Sequence, residues 1–138
     1  MVYLTRHEHF NAAHKLYNNN WSKEKNALVF GKCANENWHG HNYEVMITVK
    51  GNPDPETGFV MDAKKLSELI SIYVVEPLDH KNLNLDVPFL KDKLPSTENV
   101  AIAIWEQLFD KLPANVALHC VKIYETPRIG VEYFGPTK

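Results

Sequence analysis

Apolar and polar residues alternate with a period of two along four stretches of the chain, which is the pattern of half-buried β-strands. These stretches are residues 2–14, 39–49, 116–125 and 129–134. Two other stretches place apolar residues at helical spacing instead. The first helix is predicted to begin after an N-cap at Asp62 and to stop at Pro77, and the second to begin at Ser96 or Thr97 and stop before Pro113. The predicted order is therefore β, β, α, α, β, β.

This order predicts an α+β fold, in which an antiparallel sheet of four strands carries both helices on one face. The chain has 138 residues, which suits a single domain spanning residues 1–138. The polar, turn-rich residues 17–26 are predicted to form a loop before the second strand. A four-stranded open sheet exposes unpaired backbone groups at its edges, so the sequence also predicts that subunits associate strand to strand.

Candidate chemistry is concentrated where the second predicted strand begins, at His39 and His41. Two histidines two residues apart on a strand project from the same face and can hold one metal ion. A third ligand is needed, because catalytic zinc typically has three protein ligands and an open position. His14 is the best candidate, since it ends the first strand on the same parity as Phe10. Cys33 is either a reactive thiol or the fourth ligand of a closed structural site, and the sequence leaves both open.

Composition excludes some classes of function. A formal net charge of −2 argues against a nucleic-acid-binding protein, for which a basic stripe is expected. No apolar run has the length of a membrane span, and the first residues lack the apolar core of a signal peptide, so a soluble cytoplasmic protein is expected. Two cysteines do not make a disulfide framework, and Cys120 lies in an apolar stretch where a buried side chain is expected.

Five blocks along the chain together resemble the 6-pyruvoyl-tetrahydropterin synthase family, in the family's order and at compatible spacing. They are FNAAH at residues 10–14, GKCANENWHGHNY at 31–43, LDHKNL at 78–83, STENV at 96–100 and YET at 124–126. The resemblance implies the tunnelling fold, in which the sheets of several subunits join into a barrel and two trimers commonly stack as a hexamer. It also implies one zinc ion per chain, held by His14, His39 and His41.

The resemblance further implies a role for each remaining candidate residue. Cys33 is the base, and Asp79 and His80 form a proton relay that comes from a different subunit than the thiol. Glu125 anchors the pterin ring and takes part in proton transfer, and two further ring contacts are Thr97 and Glu98. From the residues alone, Glu125 equally well marks the solvated end of a strand, and the other two suit a helix cap and its first turn.

The reaction implied is the conversion of 7,8-dihydroneopterin triphosphate to 6-pyruvoyl-tetrahydropterin with loss of triphosphate, in tetrahydrobiopterin biosynthesis. Whether magnesium accompanies the triphosphate stays open. One alternative is the related enzyme that makes 6-carboxy-tetrahydropterin for deazapurine synthesis, whose members usually have three residues between Cys and His-Gly-His where this chain has five. Another is a zinc-stabilised interaction module without catalysis.

The chain departs from the family's pattern at two positions. Asn11 stands where Ser is usual, and the bulky Trp38 precedes His-Gly-His where a small residue is common. Neither change removes a predicted ligand. The loop that carries Cys33 is nevertheless expected to differ in shape.

Overall fold

A computed structural model describes residues 1–137, which form one mixed sheet of five strands with helices packed against it. The strands are β1 (Val2–His14), β2 (His39–Gly51), β3 (Lys81–Asn82), β4 (Ala117–Thr126) and β5 (Ile129–Tyr133), and the helices are α1 (Lys23–Phe30), α2 (Ala63–Ile70), α3 (Glu76–Leu78) and α4 (Thr97–Leu108). The strand order across the sheet is β3-β1-β2-β4-β5. The predicted α+β class is confirmed.

The four long strands form the antiparallel part of the sheet, as the alternating pattern predicts. β1 pairs with β2 along its whole length, from Val2 opposite Gly51 to His14 opposite His39. The short strand β3 joins β1 in parallel orientation and is absent from the sequence prediction. A strand of two residues has no periodicity to detect, and its pairing is set by contacts made in the folded chain. The sheet is therefore mixed rather than purely antiparallel.

The core lies between one face of the sheet and the helices. Alternate residues of β2, from Tyr43 to Val49, are fully buried, whereas the residues between them are partly or wholly exposed. Leu66 of α2 and Ile104 of α4 belong to the same buried cluster. Because side chains alternate along a strand, this buried face continues towards the start of β2, where His39 and His41 project.

Helix α2 begins as predicted, because the Asp62 side chain accepts a hydrogen bond from the Lys64 amide at 2.9 Å. The predicted stop at Pro77 is wrong. A π-helical turn, Ser71–Val75, follows α2 and leads into α3, which holds Pro77 in its first turn. Because α2, the π-helical turn and α3 are continuous, the helical stretch passes through Pro77 and ends at Leu78, one residue beyond the predicted stop.

Helix α4 begins after Ser96, whose hydroxyl accepts a hydrogen bond from the Asn99 amide at 3.2 Å. This bond decides between the two predicted starting residues. The helix ends at Leu108, short of Pro113, and leaves Phe109 56% exposed. Helix α4 has 12 residues, and none of the helices in residues 1–137 is long and apolar enough to cross a membrane.

The predicted loop at residues 17–26 is wrong for its last four residues, which form the first turn of α1. The Ser22 hydroxyl caps this helix by accepting a hydrogen bond from the Lys25 amide at 3.0 Å. Helix α1 runs directly into a 3-10 turn, Gly31–Ala34. This turn carries Cys33, so the thiol lies where the 3-10 turn leads into the loop before β2.

Candidate metal centre

Three histidines meet at one end of the β1–β2 pair. His14 is the last residue of β1 and lies opposite His39, the first residue of β2, while His41 follows two residues later on the same face. One ring nitrogen from each residue lies within 4.8 Å of those of the other two. In residues 1–137, these histidines are the group of side chains whose geometry suits a bound metal ion. The structure thus positions the three predicted ligands for one ion.

His14 is the most buried of the three, with 2% of its surface exposed. Its Nδ1–H donates a hydrogen bond to the Pro95 carbonyl at 2.7 Å, which leaves Nε2 free of a proton and available to a cation. Burial lowers the pKa of His14 below its usual value, against the opposing effect of the Pro95 hydrogen bond. Neutral imidazole is the form that binds metal, so burial and the fixed tautomer both prepare His14 as a ligand.

His39 and His41 each have a buried ring nitrogen without a hydrogen-bond partner among the described residues, Nδ1 in the first and Nε2 in the second. An unpaired buried polar atom typically costs about 1–3 kcal/mol, so such atoms call for a partner. Burial lowers the pKa of His39, and the nearby His41 lowers it further. A cation between the rings would pair the orphaned atoms. The residues present therefore fit a metal ion held by three imidazoles.

Glu125 lies at the histidine cluster rather than at a solvated strand end. Its Oε2 is 3.3 Å from His41 Nε2 and 3.9 Å from His14 Nε2, and 19% of its side chain is exposed. The position follows from β4, where Val121 and Ile123 are buried on the same face. The carboxylate faces the ligand rings and stays partly accessible, so it can contact a molecule bound at the metal.

Cys33 lies outside the group of three histidines. The residue is half-buried and its thiol is free. Its carbonyl accepts a hydrogen bond from the Leu16 amide at 2.8 Å, which ties the 3-10 turn to the chain two residues beyond His14. A closed site of three histidines and one thiolate would require the sulfur within the cluster. The geometry therefore favours an open three-ligand site.

Asp79 and His80 are in contact with each other and docked on β1. Asp79 Oδ2 lies 2.9 Å from His80 Nδ1, and Asp79 Oδ1 accepts a hydrogen bond from the Asn11 amide at 2.9 Å. The His80 amide donates in turn to the Asn11 carbonyl at 2.6 Å. The Asn11 amide, and to a smaller extent His80, hold the pKa of Asp79 below its usual range. The His80 side chain is 78% exposed, so a charged carboxylate presents this imidazole to the surroundings of the chain.

Thr97 and Glu98 form the first turn of α4, next to the Pro95 carbonyl that binds His14. The Thr97 hydroxyl is buried without a hydrogen-bond partner among the described residues, whereas Glu98 is exposed. Ser96 already caps the helix. The orphaned hydroxyl thus suits a bound polar molecule better than a capping role.

Comparisons with known proteins agree with this geometry. The sequence profile of the 6-pyruvoyl tetrahydropterin synthase family matches residues 3–136. The chain belongs to this family. It is 47% identical over 132 residues to the 6-pyruvoyl tetrahydrobiopterin synthase of Homo sapiens, an alignment that covers 96% of this chain and 90% of the human one. The synthase of the same name from Dictyostelium discoideum is 43% identical over 134 residues, covering 97% of this chain and 96% of the relative.

A solved structure extends the similarity to three dimensions. The Caenorhabditis elegans 6-pyruvoyl tetrahydropterin synthase matches with a TM-score of 0.90 and 39% sequence identity, covering 98% of this chain and 96% of that chain. The strand and helix arrangement described above is therefore that of the 6-pyruvoyl tetrahydropterin synthase family.

Two groups at the centre of this 6-pyruvoyl tetrahydropterin synthase family member escape sequence reasoning. One is the Pro95 carbonyl, a backbone group that leaves no signal in the sequence. The other is the fully buried Tyr43, whose hydroxyl lies 3.4 Å from both ring nitrogens of His14 and whose pKa is raised by burial. The sequence does contain a signal for Tyr43: a tyrosine among the apolar residues of a strand face indicates a polar group nearby, because its buried hydroxyl needs a partner.

Proposed function

We propose that the chain converts 7,8-dihydroneopterin triphosphate to 6-pyruvoyl-tetrahydropterin and triphosphate, a step of tetrahydrobiopterin biosynthesis. The observation that carries the proposal is the open cluster of three histidines with the Glu125 carboxylate 3.3 Å from His41. Identities of 47% and 43% to relatives named 6-pyruvoyl tetrahydrobiopterin synthase support this reaction over formation of 6-carboxy-tetrahydropterin.

Incubation of the purified protein with dihydroneopterin triphosphate tests the proposal directly. Release of triphosphate together with 6-pyruvoyl-tetrahydropterin would support it, whereas 6-carboxy-tetrahydropterin from the same substrate would identify the related enzyme. Metal-loaded protein that forms neither product would agree with the zinc-stabilised module. Reactions with and without added Mg²⁺ show whether magnesium accompanies the triphosphate.

The metal at this site is proposed to be one zinc ion per chain, held by His14, His39 and His41. Zinc with three protein ligands keeps a position open and, when bound, stabilises negative charge that develops on substrate oxygens. The chain contributes a prearranged ligand set, because the Pro95 carbonyl fixes the orientation and tautomer of His14. Burial lowers the pKa of His14 and of His39, which favours the neutral imidazole that binds a metal ion.

Cys33 is proposed as the base that removes a proton from substrate carbon. A thiolate suits this task once a neighbouring cation or hydrogen-bond donor lowers its pKa. The Leu16 amide binds the Cys33 carbonyl, so the thiol belongs to a turn fastened to the strand that ends at His14. This arrangement keeps the sulfur with the metal-bearing end of the sheet but outside the ligand set.

Glu125 is proposed to anchor the pterin ring. A pterin presents an amino group and a ring N–H side by side, and one carboxylate can accept both, as it accepts a guanidinium. The carboxylate stands beside His41 and is 19% exposed, so an anchored ring would extend from a point close to the metal. The buried Thr97 hydroxyl, with Glu98 on the same turn, is the proposed second contact.

Glu125→Gln is expected to weaken substrate binding while zinc stays bound. Glutamine keeps the size of the side chain but replaces one acceptor oxygen by a donor, which breaks the bidentate contact. Hydrogen bonds to charged groups contribute about 1.5–3 kcal/mol, so KM should rise about 10- to 100-fold. A lower kcat as well would indicate a part in proton transfer. Steady-state kinetics and metal analysis measure both.

Glu44→Gln is the matched control for this variant, because Glu44 is an exposed carboxylate that pairs with His7 elsewhere on the sheet. Its KM should equal that of the unmodified protein. An unchanged KM in Glu125→Gln would refute the anchor.

Asp79 and His80 are proposed to act on the thiol of a neighbouring subunit in a homohexamer of two trimers. Within this chain the pair is bound to the Asn11 backbone, and the imidazole is exposed rather than turned into the core. An exposed imidazole oriented by a charged carboxylate is suited to exchange protons with a group that another chain brings to it. Pairing of sheet edges between subunits would bring the two together.

Sedimentation at micromolar concentration is expected to show a hexamer and no appreciable monomer, because an open sheet is stabilised when its edges pair. Cys33→Ala and His80→Ala should each be nearly inactive alone. When the two variants are refolded together, about a quarter of the sites should combine an intact thiol with an intact relay from another chain. Regained activity supports the shared site, and a fully active monomer would contradict both the assembly and the relay.

A further inference from the structure

The two residues just beyond the last pair of β1 and β2 contact each other. Lys15 directly follows His14 and Trp38 directly precedes His39, so both stand at the metal-bearing end of the sheet. Lys15 Nζ lies 4.6 Å from the centre of the Trp38 ring. A cation within about 6 Å of an aromatic face is attracted to it. The contact bridges the ends of the two ligand-bearing strands.

Trp38 has a backbone conformation that a bulky residue seldom adopts. Its φ is 61°, in the left-handed region that favours glycine. Its amide donates to the Asn35 carbonyl at 3.2 Å, which closes the turn that leads into β2. Its indole Nε1 is buried without a hydrogen-bond partner among the described residues. Two unfavourable features at one residue beside a candidate site indicate a function that compensates for them.

Hydrogen bonds to Asn84 also hold the backbone of Lys15 in place. Its amide donates to Asn84 Oδ1 at 2.9 Å, and Asn84 Nδ2 donates to the Lys15 carbonyl at 3.0 Å. Lys15 Nζ also approaches the Glu36 carbonyl at 3.5 Å. The next residue, Leu16, binds the Cys33 carbonyl. Residues 15 and 16 therefore hold the loop of residues 33–38 at its first residue, near its middle and at its last residue.

We propose that Trp38 and Lys15 form a clasp that fastens the loop of residues 33–38 to the metal-bearing end of β1, and that Trp38 is thereby a positioning residue for Cys33. This inference rests on the proposed role of Cys33 as the base. Trp38 acts through the loop and needs no contact with substrate. Proton transfer depends steeply on position, since a misplacement of about 1 Å can cost about 100-fold in rate.

Two variants at Trp38 test whether its effect depends on the aromatic ring or only on the size of the side chain. Trp38→Leu removes the face, and Trp38→Phe keeps one for Lys15. In Trp38→Leu, alkylation of Cys33 by iodoacetamide should accelerate about two- to fivefold, the change expected on losing an exposed cation–π contact. Its kcat should fall by a similar factor, about two- to fivefold, with KM and zinc content unchanged. Trp38→Phe should remain close to the unmodified protein in all four measurements.

Lys15→Met tests the same clasp from its other half. If the two side chains act together, the double variant with Trp38→Leu should alkylate no faster than either single variant. Tyr73→Leu, which removes the separate contact of Lys111 over the Tyr73 ring at 5.2 Å, is the matched control and should leave alkylation unchanged. Peptide mass spectrometry assigns the label to Cys33 and uses the buried Cys120 as an internal reference.

The clasp is overturned if Trp38→Leu is alkylated at the unmodified rate, if Trp38→Phe is damaged equally, or if Trp38→Leu loses its zinc. Should Trp38→Leu fail to fold, as judged by circular dichroism, Lys15→Met carries the same test. Alkylation requires no turnover. A protein that does not act on dihydroneopterin triphosphate would therefore refute the proposed function while the alkylation rates still decide the clasp.

Discussion

Replacing His41 by alanine is expected to remove bound zinc and activity together. The three imidazoles form the whole ligand group found in residues 1–137, so the variant would leave only two of them. Changes to residues that merely support a zinc ligand already cost about 10- to 100-fold in affinity or activity, and loss of a ligand should cost more. His41 is also a clean site for truncation, because its side chain is 18% exposed, whereas His14 is 2% exposed and supports the core.

Metal analysis after gel filtration measures the loss of zinc, and circular dichroism checks the fold. His39→Ala should behave in the same way as His41→Ala. His7→Ala is the matched control, because His7 is an exposed histidine of β1 that pairs with Glu44 and has no part in the cluster. It should keep zinc and turnover. Full retention of zinc in both His39→Ala and His41→Ala would refute the ligand assignment.

The sequence predicts the geometry of the three histidines because that geometry depends only on the alternation of side chains along a strand and on the pairing of β1 with β2. Side chains alternate along a strand, so His39 and His41 must share a face once β2 is accepted as a strand. His14 joins them because β1 and β2 pair along their full length and end together. An unbroken antiparallel pair transmits the parity of one strand to the next, which is why the third ligand could be chosen from sequence.

The groups that complete the centre could not be predicted in this way. The Pro95 carbonyl is 81 residues from His14 in sequence, and its position depends on how the start of α4 packs against the sheet. Glu125 reaches His41 only through the pairing of β4 with β2, in which Tyr124 lies opposite Glu44. Helices α2, α3 and α4 lie between these two strands in sequence, so no local turn sets their register. The alternation of side chains along β4 predicts that Glu125 lies on the buried face of the sheet, but it does not predict which histidine lies beside it.

The errors in the predicted local structure have a similar cause. Helix α1 lacks an apolar stripe, since Leu28 is 86% exposed and Val29 54% exposed, so periodicity does not reveal it. What supports the helix is polar, because the buried Asn26 side chain accepts a hydrogen bond from the Asn18 amide at 2.7 Å and donates one to the Asn18 carbonyl at 3.0 Å. Asparagine usually indicates a turn, and here it holds a turn and a helix together.

An open and a closed zinc site predict opposite effects of a Cys33 substitution on zinc affinity. If the thiol were a fourth ligand, Cys33→Ala would remove a coordinate bond and a compensating negative charge, so zinc affinity would fall severely. If the thiol is a base, the three histidines still hold the ion after the substitution. The structure favours the second case, because the ring nitrogens group together without the sulfur.

Cys33→Ala is therefore expected to keep about one zinc per chain, to keep substrate binding through Glu125, and to lose turnover by about two to four orders of magnitude. A positioned general acid or base usually contributes a rate acceleration of this size. Zinc content after gel filtration, KM and kcat measure the three quantities. Cys120→Ala is the matched control, because it removes the other thiol, which is 5% exposed and lies opposite Thr48 within the sheet. Loss of zinc in Cys33→Ala alone would overturn the assignment of the base and favour the structural module.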